Sequence, residues 1–163
     1  MVEQNHKTNE ATEPLDLGIL LGLAYQGFVD RLRAELERQG FDDLGGAYGY
    51  VFRALAHAQP SQRELARRLG ITDQGMAKII TEMVARRYVA RRPDPDDSRV
   101  NRLALDARGQ AALRAARRFH AAFERELARD LGAPAVRRLR QILDRIAHRA
   151  GDREAAGARL RPM

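Results

Sequence analysis

The sequence predicts a mainly α-helical fold with one small β hairpin of two or three strands. Apolar residues recur at spacings of three and four along most of the 163 residues, the pattern of helices that bury one face. The stretch from Tyr88 to Leu105 instead carries two β-prone runs separated by a cluster of turn residues. We therefore expect a helical chain interrupted by a single hairpin.

The clearest local signal begins at Ser61. Glu64 follows three residues later, so hydroxyl and carboxylate can each satisfy a free backbone N–H in a capping box. This helix ends at Gly70, Ile71 fills the turn, and Thr72 offers the N-cap hydroxyl of the next helix. Two helices joined by so short a connection indicate a helix-turn-helix.

The second helix of this motif has an apolar face and a polar face. Its apolar positions, spaced to form one buried stripe, are Met76, Ile79, Ile80, Met83 and Val84. The opposite face carries Gln74, Lys78 and Thr81, beside the small residues Gly75 and Ala77. Gln and Lys supply donors that reach base edges or phosphates, and small neighbours let a helix approach a groove wall. The alternative is an ordinary solvated helix face.

The hairpin that follows is predicted from two β-prone runs, 88–92 and 99–105, around a turn cluster at 93–98. A hairpin placed after a recognition helix is typical of a wing that meets the phosphate backbone or the minor groove. Its acidic residues Asp94, Asp96 and Asp97 would repel phosphates, and an ordinary turn also explains them. We expect Asp97 to orient Arg99 through a charge-assisted hydrogen bond.

The helix and the hairpin together supply the predicted DNA-binding residues. They are Thr72, Asp73, Gln74, Gly75, Lys78, Thr81, Arg91, Arg92, Asp97, Arg99 and Arg102.

Residues 62–72, 94–99 and 105–109 resemble the MarR family of bacterial winged-helix transcription regulators. The likeness covers roughly residues 15–150, and the wing is its most specific part. That family's hallmark is Asp-x-Arg, followed six residues after the Arg by Leu-Thr at the start of a helix. This chain has Asp97-x-Arg99 and then Leu105-Asp106, and Asp in place of Thr preserves an N-cap oxygen.

The resemblance implies an obligate homodimer that binds double-stranded DNA, usually as a repressor, and is released by a small, often aromatic or phenolic effector. Two recognition helices related by a two-fold axis imply a pseudo-palindromic operator. By the same resemblance, effectors bind between the helix at 45–57, the first helix and the DNA-binding module. Phe28, Tyr48, Phe52 and His57 are the candidates to line this crevice. The alternatives are core packing for the aromatics and a helix C-terminal position for His57.

The flanking segments are predicted to hold two copies together. Residues 15–39 form a long helical pattern, hydrophobic nearly all round from Leu15 to Tyr25, that ends at Gly40. Asp106 caps a second apolar helix, and Pro134 begins a third. An isologous interface would bury these faces, whereas an intramolecular bundle is the alternative. His120, on an apolar stripe, is a candidate interface histidine or pH sensor.

The predicted organisation is therefore a series of five segments. They are a disordered tail at 1–14, a dimerisation helix at 15–40, the winged helix-turn-helix at 44–106, dimerisation helices at 107–150 and a second disordered tail at 151–163.

Composition narrows the class of function. The formal charge of +7 and pI near 10.6 favour a polyanionic partner. The absence of Cys excludes disulfides, Cys-ligated zinc and thiol redox sensing. No metal-binding or nucleophile motif indicates an enzyme, and we expect no cofactor. The polar start of the chain is unlike a signal peptide, so we expect a cytoplasmic protein. The alternatives to a sequence-specific regulator are a nonspecific DNA-coating protein and a protein-binding adaptor.

Overall fold

The computed structural model describes residues 14–97 and 99–149, with the side chain of residue 149 left out. The tails predicted at 1–14 and 151–163 lie outside this range, apart from Pro14. Within it, the elements in chain order are α1 (Leu17–Arg38), α2 (Tyr48–Leu55), α3 (Gln62–Leu69), α4 (Asp73–Ala85), β1 (Val89–Pro93), β2 (Asn101–Leu105), α5 (Ala107–Leu131) and α6 (Ala133–Arg149). The predicted mainly helical fold with a wing is confirmed.

The hairpin consists of two antiparallel strands, in a register that places Ala90 opposite Ala104 and Arg92 opposite Arg102. On the other side of β2, an isolated bridge joins Ser61 to Arg102, and the Leu103 N–H donates to the Pro60 carbonyl at 2.9 Å. The wing is therefore hydrogen-bonded to the residues that precede α3.

The core belongs to the DNA-binding module, which consists of α2, α3, α4, β1 and β2. Its largest fully buried side chains are Tyr88, Leu65, Met76, Ile80, Met83, Leu103, Val51 and Val89. They come from all five elements, because each helix turns one apolar stripe inward and each strand contributes one fully buried side chain, Val89 or Leu103. Burial of these side chains fixes the position of α4 relative to the wing.

Gly109 joins α5 to this module. A Cβ atom on Gly109 would lie 2.0 Å from the Tyr88 carbonyl oxygen, so only glycine allows the approach. The same carbonyl accepts the Asp106 N–H at 3.0 Å, and the Asp106 side chain caps α5 at the Ala107 N–H. Residues 106–109 thus attach the start of α5 to the start of the wing.

A polar cluster connects the segment between α1 and α2 to the end of α4 and the start of α5. The Asp43 carboxylate accepts from the Tyr88 hydroxyl at 2.5 Å and from both terminal nitrogens of Arg108 at 3.0 Å. Arg108 also lies over the Tyr88 ring, and Arg86 donates to the Asp43 carbonyl and to the Tyr48 hydroxyl. This Asp43 cluster holds the helices around the module in place.

The flanking helices pack differently from the module. Phe28 of α1 contacts Phe119 and Phe123 of α5, with ring centroids 5.6 and 5.1 Å apart. Most other large apolar side chains on α1 and α6 are exposed: Leu17, Ile19, Leu20, Leu21, Leu23, Tyr25, Leu139, Ile142, Leu143 and Ile146. No helix in the described part of the chain is both long enough and apolar enough to cross a membrane.

Candidate nucleic-acid interface

The helix-turn-helix is built from the local signals that the sequence carries. Ser61 and Glu64 form the predicted capping box, in which the Ser61 N–H donates to Glu64 Oε2 at 2.7 Å and Ser61 Oγ accepts the Glu64 N–H at 3.3 Å. Hydrogen bonds from the Ser61 N–H and from the Ser61 hydroxyl lower the pKa of the Glu64 carboxyl. Gly70 turns the chain at φ +62°, and Thr72 Oγ1 accepts the Gly75 N–H at 3.1 Å. Both predicted caps are confirmed.

The exposed face of α4 carries the predicted stripe. Gln74, Lys78 and Thr81 are all exposed, whereas Met76 and Ile80 on the opposite face are fully buried. The predicted division of the helix into two faces is therefore confirmed, and the stripe is open to a partner.

Gly75 has a role inside the turn as well. A Cβ atom there would lie 3.0 Å from Thr72 Oγ1 and 3.1 Å from Ile71 Cγ2, so a larger residue would crowd the cap. The sequence interpretation gave Gly75 only the task of letting the helix approach a groove.

Asp94 organises the wing turn and does not face outward. It is 7% exposed and accepts the Asp96 N–H at 2.8 Å and the Asp97 N–H at 3.2 Å, and Arg102 pairs with its second oxygen. The Asp96 N–H and the Arg102 guanidinium lower the pKa of this carboxyl. Asp94 is thus buried and paired with Arg102 inside the turn, whereas the sequence grouped it with Asp96 and Asp97 as a residue that would repel phosphates.

Asp97 holds Arg99 as predicted. Its Oδ1 accepts both the Arg99 N–H and Nε–H at 3.0 Å, and its Oδ2 accepts from Nη2 at 3.2 Å. The Arg99 side chain is 89% exposed. These hydrogen bonds lower the pKa of Asp97. One fully charged guanidinium is therefore presented to solvent in a defined direction.

Arg102, which the sequence grouped with the predicted DNA-binding arginines, pairs with two carboxylates of the module. Its Nη1 donates to Glu64 Oε2 at 2.9 Å, and its Nε donates to Asp94. The side chain is 35% exposed and lies between two carboxylates. Spacing alone did not reveal this, because Glu64 and Arg102 are 38 residues apart.

Strand alternation separates the remaining wing arginines. Arg91 and Arg99 line a cavity of about 470 Å³ whose other walls include Arg63 and Asp73, at the start of α4. Arg92 lines a different cavity, of about 570 Å³. Neighbouring residues on a strand point to opposite faces, so the sequence's Arg91–Arg92 pair does not act as one patch.

The 570 Å³ cavity lies between the end of α2, the base of the wing and α5. Its apolar lining is Leu55, Ala56, Ala104, Leu105 and Leu113, and its polar lining is Gln59, Arg92, Gln110, Arg114 and Arg117. The sequence interpretation did not identify Arg114 and Arg117. Their spacing of three places them on one helix face and was the available signal.

The predicted effector-lining residues lie in three places. Tyr48 and Phe52 are 2% and 5% exposed and pack edge-on against Tyr88 in the module core, which favours the core-packing alternative. Phe28 packs against α5, and His57 is exposed just beyond α2. The structure thus does not bring these four residues together, because the aromatic stripe of α2 faces inward.

His120 lies beside Phe28 and Phe119, with ring centroids 5.2 and 6.2 Å away. Partial burial lowers the pKa of His120 below its usual value. Within the described residues, no group of three or more His, Asp or Glu side chains could hold a metal ion.

Comparison with known proteins agrees with this geometry. Residues 42–100 match the MarR family, and no curated protein matches the sequence. The transcriptional repressor CouR, solved bound to a 23-mer DNA duplex, is 26% identical, with 82% of this chain and 99% of that chain covered and a TM-score of 0.57.

Two further solved structures cover the same share of the chain. A MarR family protein of Mycobacterium tuberculosis, solved in complex with salicylic acid, is 25% identical over 82% of this chain and 98% of that chain, with a TM-score of 0.58. Reduced MarR from E. coli has the same fold at 24% identity, with 82% and 98% covered and a TM-score of 0.62. Residues 42–100 thus match the MarR family, and the fold of the chain is similar to that of winged helix-turn-helix transcription regulators of this family.

Proposed function

We propose that two copies of this chain form a homodimer that binds a pseudo-palindromic operator and represses transcription until a small anionic effector releases it. The observation that carries the proposal is the convergence of α3, the start of α4 and the wing on one cavity, where Arg63, Arg91 and Arg99 surround the approach to the recognition helix. A duplex that places α4 in its major groove would bring the flanking backbone to these guanidinium groups.

Sequence reading is assigned to the exposed stripe of α4. Gln74 and Lys78 are within one turn of each other and supply the donors and acceptors that distinguish base edges. Arg99 is assigned to the adjacent minor groove, because Asp97 holds it in a fixed and exposed orientation. The similar protein CouR, a transcriptional repressor solved bound to a DNA duplex, supports DNA binding and repression as the function proposed here.

Dimerisation is supported by the exposed apolar faces of α1 and α6. Leu17 and Leu23 are 68% and 58% exposed, and Leu139, Ile142 and Ile146 on α6 are between 40% and 44% exposed. A monomer in water rarely leaves so many large apolar side chains uncovered. A second copy covers identical faces with one two-fold operation, and it spaces the two recognition helices about 34 Å apart, one turn of the duplex.

The effector is assigned to the 570 Å³ cavity in place of the crevice that the sequence predicted. Its volume suits a small molecule, its floor is apolar, and Arg92, Arg114 and Arg117 offer positive charge for a carboxylate or phenolate. The mycobacterial relative bound to salicylic acid supports this class of ligand. Because Arg92 belongs to the wing, an anion bound there would shift the population of wing positions.

The test of DNA reading begins with selection of genomic fragments by the purified protein, followed by mobility-shift titration on the motif obtained. Arg99→Ala should weaken operator binding by about 1 to 3 kcal/mol and leave the dimer intact. Arg125→Ala, the same change at an exposed position of α5, should bind as the unchanged protein does. Equal binding by the Arg99 variant would remove the wing from the mechanism.

The alternative of a nonspecific DNA-coating protein is distinguished by Gln74→Ala and Lys78→Ala. In a sequence-specific regulator these variants should lose discrimination between operator and scrambled DNA, whereas in a coating protein they should bind both DNAs equally weakly.

The effector assignment is tested by calorimetric titration with salicylate. Arg114→Gln combined with Arg117→Gln should abolish the heat of binding, and an unchanged heat would place the ligand elsewhere.

A further inference from the structure

Arg102 connects two parts of the module that are distant in sequence. It lies on β2, and its guanidinium reaches Glu64 at the N-terminus of α3 through Nη1 and Asp94 at the wing turn through Nε. A planar guanidinium donates in two fixed directions at once, which the single ammonium of Lys does not reproduce. The side chain therefore bridges two carboxylates that nothing else joins directly among the described contacts.

Each carboxylate is itself bound to backbone that matters for DNA binding. Glu64 Oε2 accepts the Ser61 N–H at 2.7 Å, so it is part of the α3 cap. Asp94 accepts the N–H groups of Asp96 and Asp97, and Asp97 in turn holds Arg99. A continuous series of hydrogen bonds thus runs from the first helix of the motif to the exposed guanidinium of the wing.

The charge of the Glu64–Arg102–Asp94 triad argues against a phosphate site. One cation lies between two anions, which leaves the group with a net negative charge. Asp94 is buried and Arg102 is largely covered, whereas Arg99 is 89% exposed. The triad is therefore placed to orient the wing and not to contact a polyanion.

We propose that Arg102 is a positioning residue for DNA binding, which sets the angle of the wing relative to α3 and α4 and acts on DNA through Arg99. The proposal rests on the proposed DNA-binding function. It makes Glu64 and Asp94 necessary for binding although both are acidic and the proposed partner is a polyanion.

Conservative variants separate positioning from direct contact. Glu64→Gln keeps the capping box, since Gln serves in the same position, and Asp94→Asn keeps an oxygen for the turn N–H groups. Each removes one negative charge, so electrostatics alone would tighten DNA binding. If the two carboxylates position the wing, the effect on affinity should be the opposite, and each variant should bind operator about tenfold more weakly. Arg102→Lys keeps the positive charge that a phosphate contact needs but loses the planar guanidinium that donates to both carboxylates. It should therefore weaken operator binding to the same degree.

The decisive measurements are operator affinity and amide hydrogen exchange on the same full-length variants. Arg102→Lys should speed exchange at Asp96, Asp97 and Val100 and leave α4 unchanged. In combination with Arg99→Ala, it should cost less than the product of the single effects, because both act through one contact. Tighter or equal binding by Asp94→Asn, or unchanged wing exchange in Arg102→Lys, would overturn the proposal. If the unaltered protein showed no operator preference, the proposed function would fail, while the exchange data would still decide the wing's dependence on Arg102.

Discussion

The DNA-binding module and the helices that flank it satisfy their apolar residues in different ways. Leu65, Met76 and Ile80 of the module are fully buried within one chain, whereas Leu17 and Leu23 of α1 remain 68% and 58% exposed. Within the described residues, no buried side-chain nitrogen or oxygen lacks a hydrogen-bond partner. The module therefore has a complete core, whereas the flanking helices leave apolar faces uncovered within one chain.

This difference assigns separate physical tasks to the two regions. A core closed within one chain holds α4 and the wing in fixed relative positions without help from a partner. In the proposed dimer, a second copy would cover the apolar faces of the flanking helices, so the distance between the two modules would depend on how the copies pack. The module therefore sets its own shape, and in the proposed dimer the flanking helices would set the spacing between two modules.

The largest expected effect comes from a charge placed on the flanking apolar face. Leu143→Glu should dissociate the proposed dimer, at a cost on the order of 4 kcal/mol or more, because each copy would bury an unpaired carboxylate. Sedimentation equilibrium measures the dissociation, and Gln141→Glu at an exposed position of the same helix is the matched control. A Leu143→Glu protein that stays dimeric at low micromolar concentration would place the interface elsewhere.

A change inside the module should act on folding instead. Gly109→Ala forces a methyl group against the Tyr88 carbonyl, where a Cβ would lie at 2.0 Å, and should lower the free energy of unfolding by about 3 kcal/mol. A Cβ at Gly49 would have no other atom within 4 Å, so Gly49→Ala should raise the free energy of unfolding by up to about 1 kcal/mol. Denaturant titrations give both values. Equal effects in the two variants would contradict the close packing of α5 on the module.

The Asp43 cluster joins the two regions and should make stability depend on pH. Burial raises the pKa of Asp43, but hydrogen bonds from the Tyr88 hydroxyl and the Arg108 guanidinium lower it by more. The pKa in the folded protein therefore lies below the usual value. The stabilisation is therefore complete above the unfolded pKa and is lost as pH falls through the folded pKa. Asp43→Asn should lower the free energy of unfolding by about 2 kcal/mol at pH 7. The difference from the unaltered protein should shrink below about pH 4, and a constant difference down to pH 2 would argue against an ionised Asp43.

The smallest expected effect lies at the end of the recognition helix. Arg87 has φ +62°, a left-handed conformation that costs a residue with a Cβ about 1 kcal/mol, and its side chain is exposed. Arg87→Gly should therefore raise the free energy of unfolding by about 0.5 kcal/mol, after the larger chain entropy of glycine is subtracted. Thermal unfolding measures this, and a lower melting temperature would show that the Arg87 side chain contributes in the fold.

Local signals were enough to predict the helix-turn-helix and its caps. The Ser61–Glu64 box, the Thr72 cap and the Asp97–Arg99 pair each connect residues at most three apart. Such short-range interactions depend on helix and turn geometry that is the same in different proteins, so the spacing of residues in the sequence predicts them. The two faces of α4 followed from helical periodicity for the same reason.

Contacts between distant segments were decided by the tertiary structure. The sequence grouped Arg102 with the predicted DNA-binding arginines by its position on the wing. Its partner Glu64 lies 38 residues away, so no local spacing pattern connects the two side chains. The aromatic residues predicted to line one crevice were distributed by packing between the module core and the contact of α1 with α5.

The amino-acid order by itself therefore determined which segments are helices and strands, where they begin and which face of the recognition helix is polar. The folded chain decided which arginines remain free for a partner, which carboxylates they pair with and which apolar faces stay uncovered. The reason is that side-chain pairing across tens of residues depends on how whole elements pack, a property that no local pattern encodes.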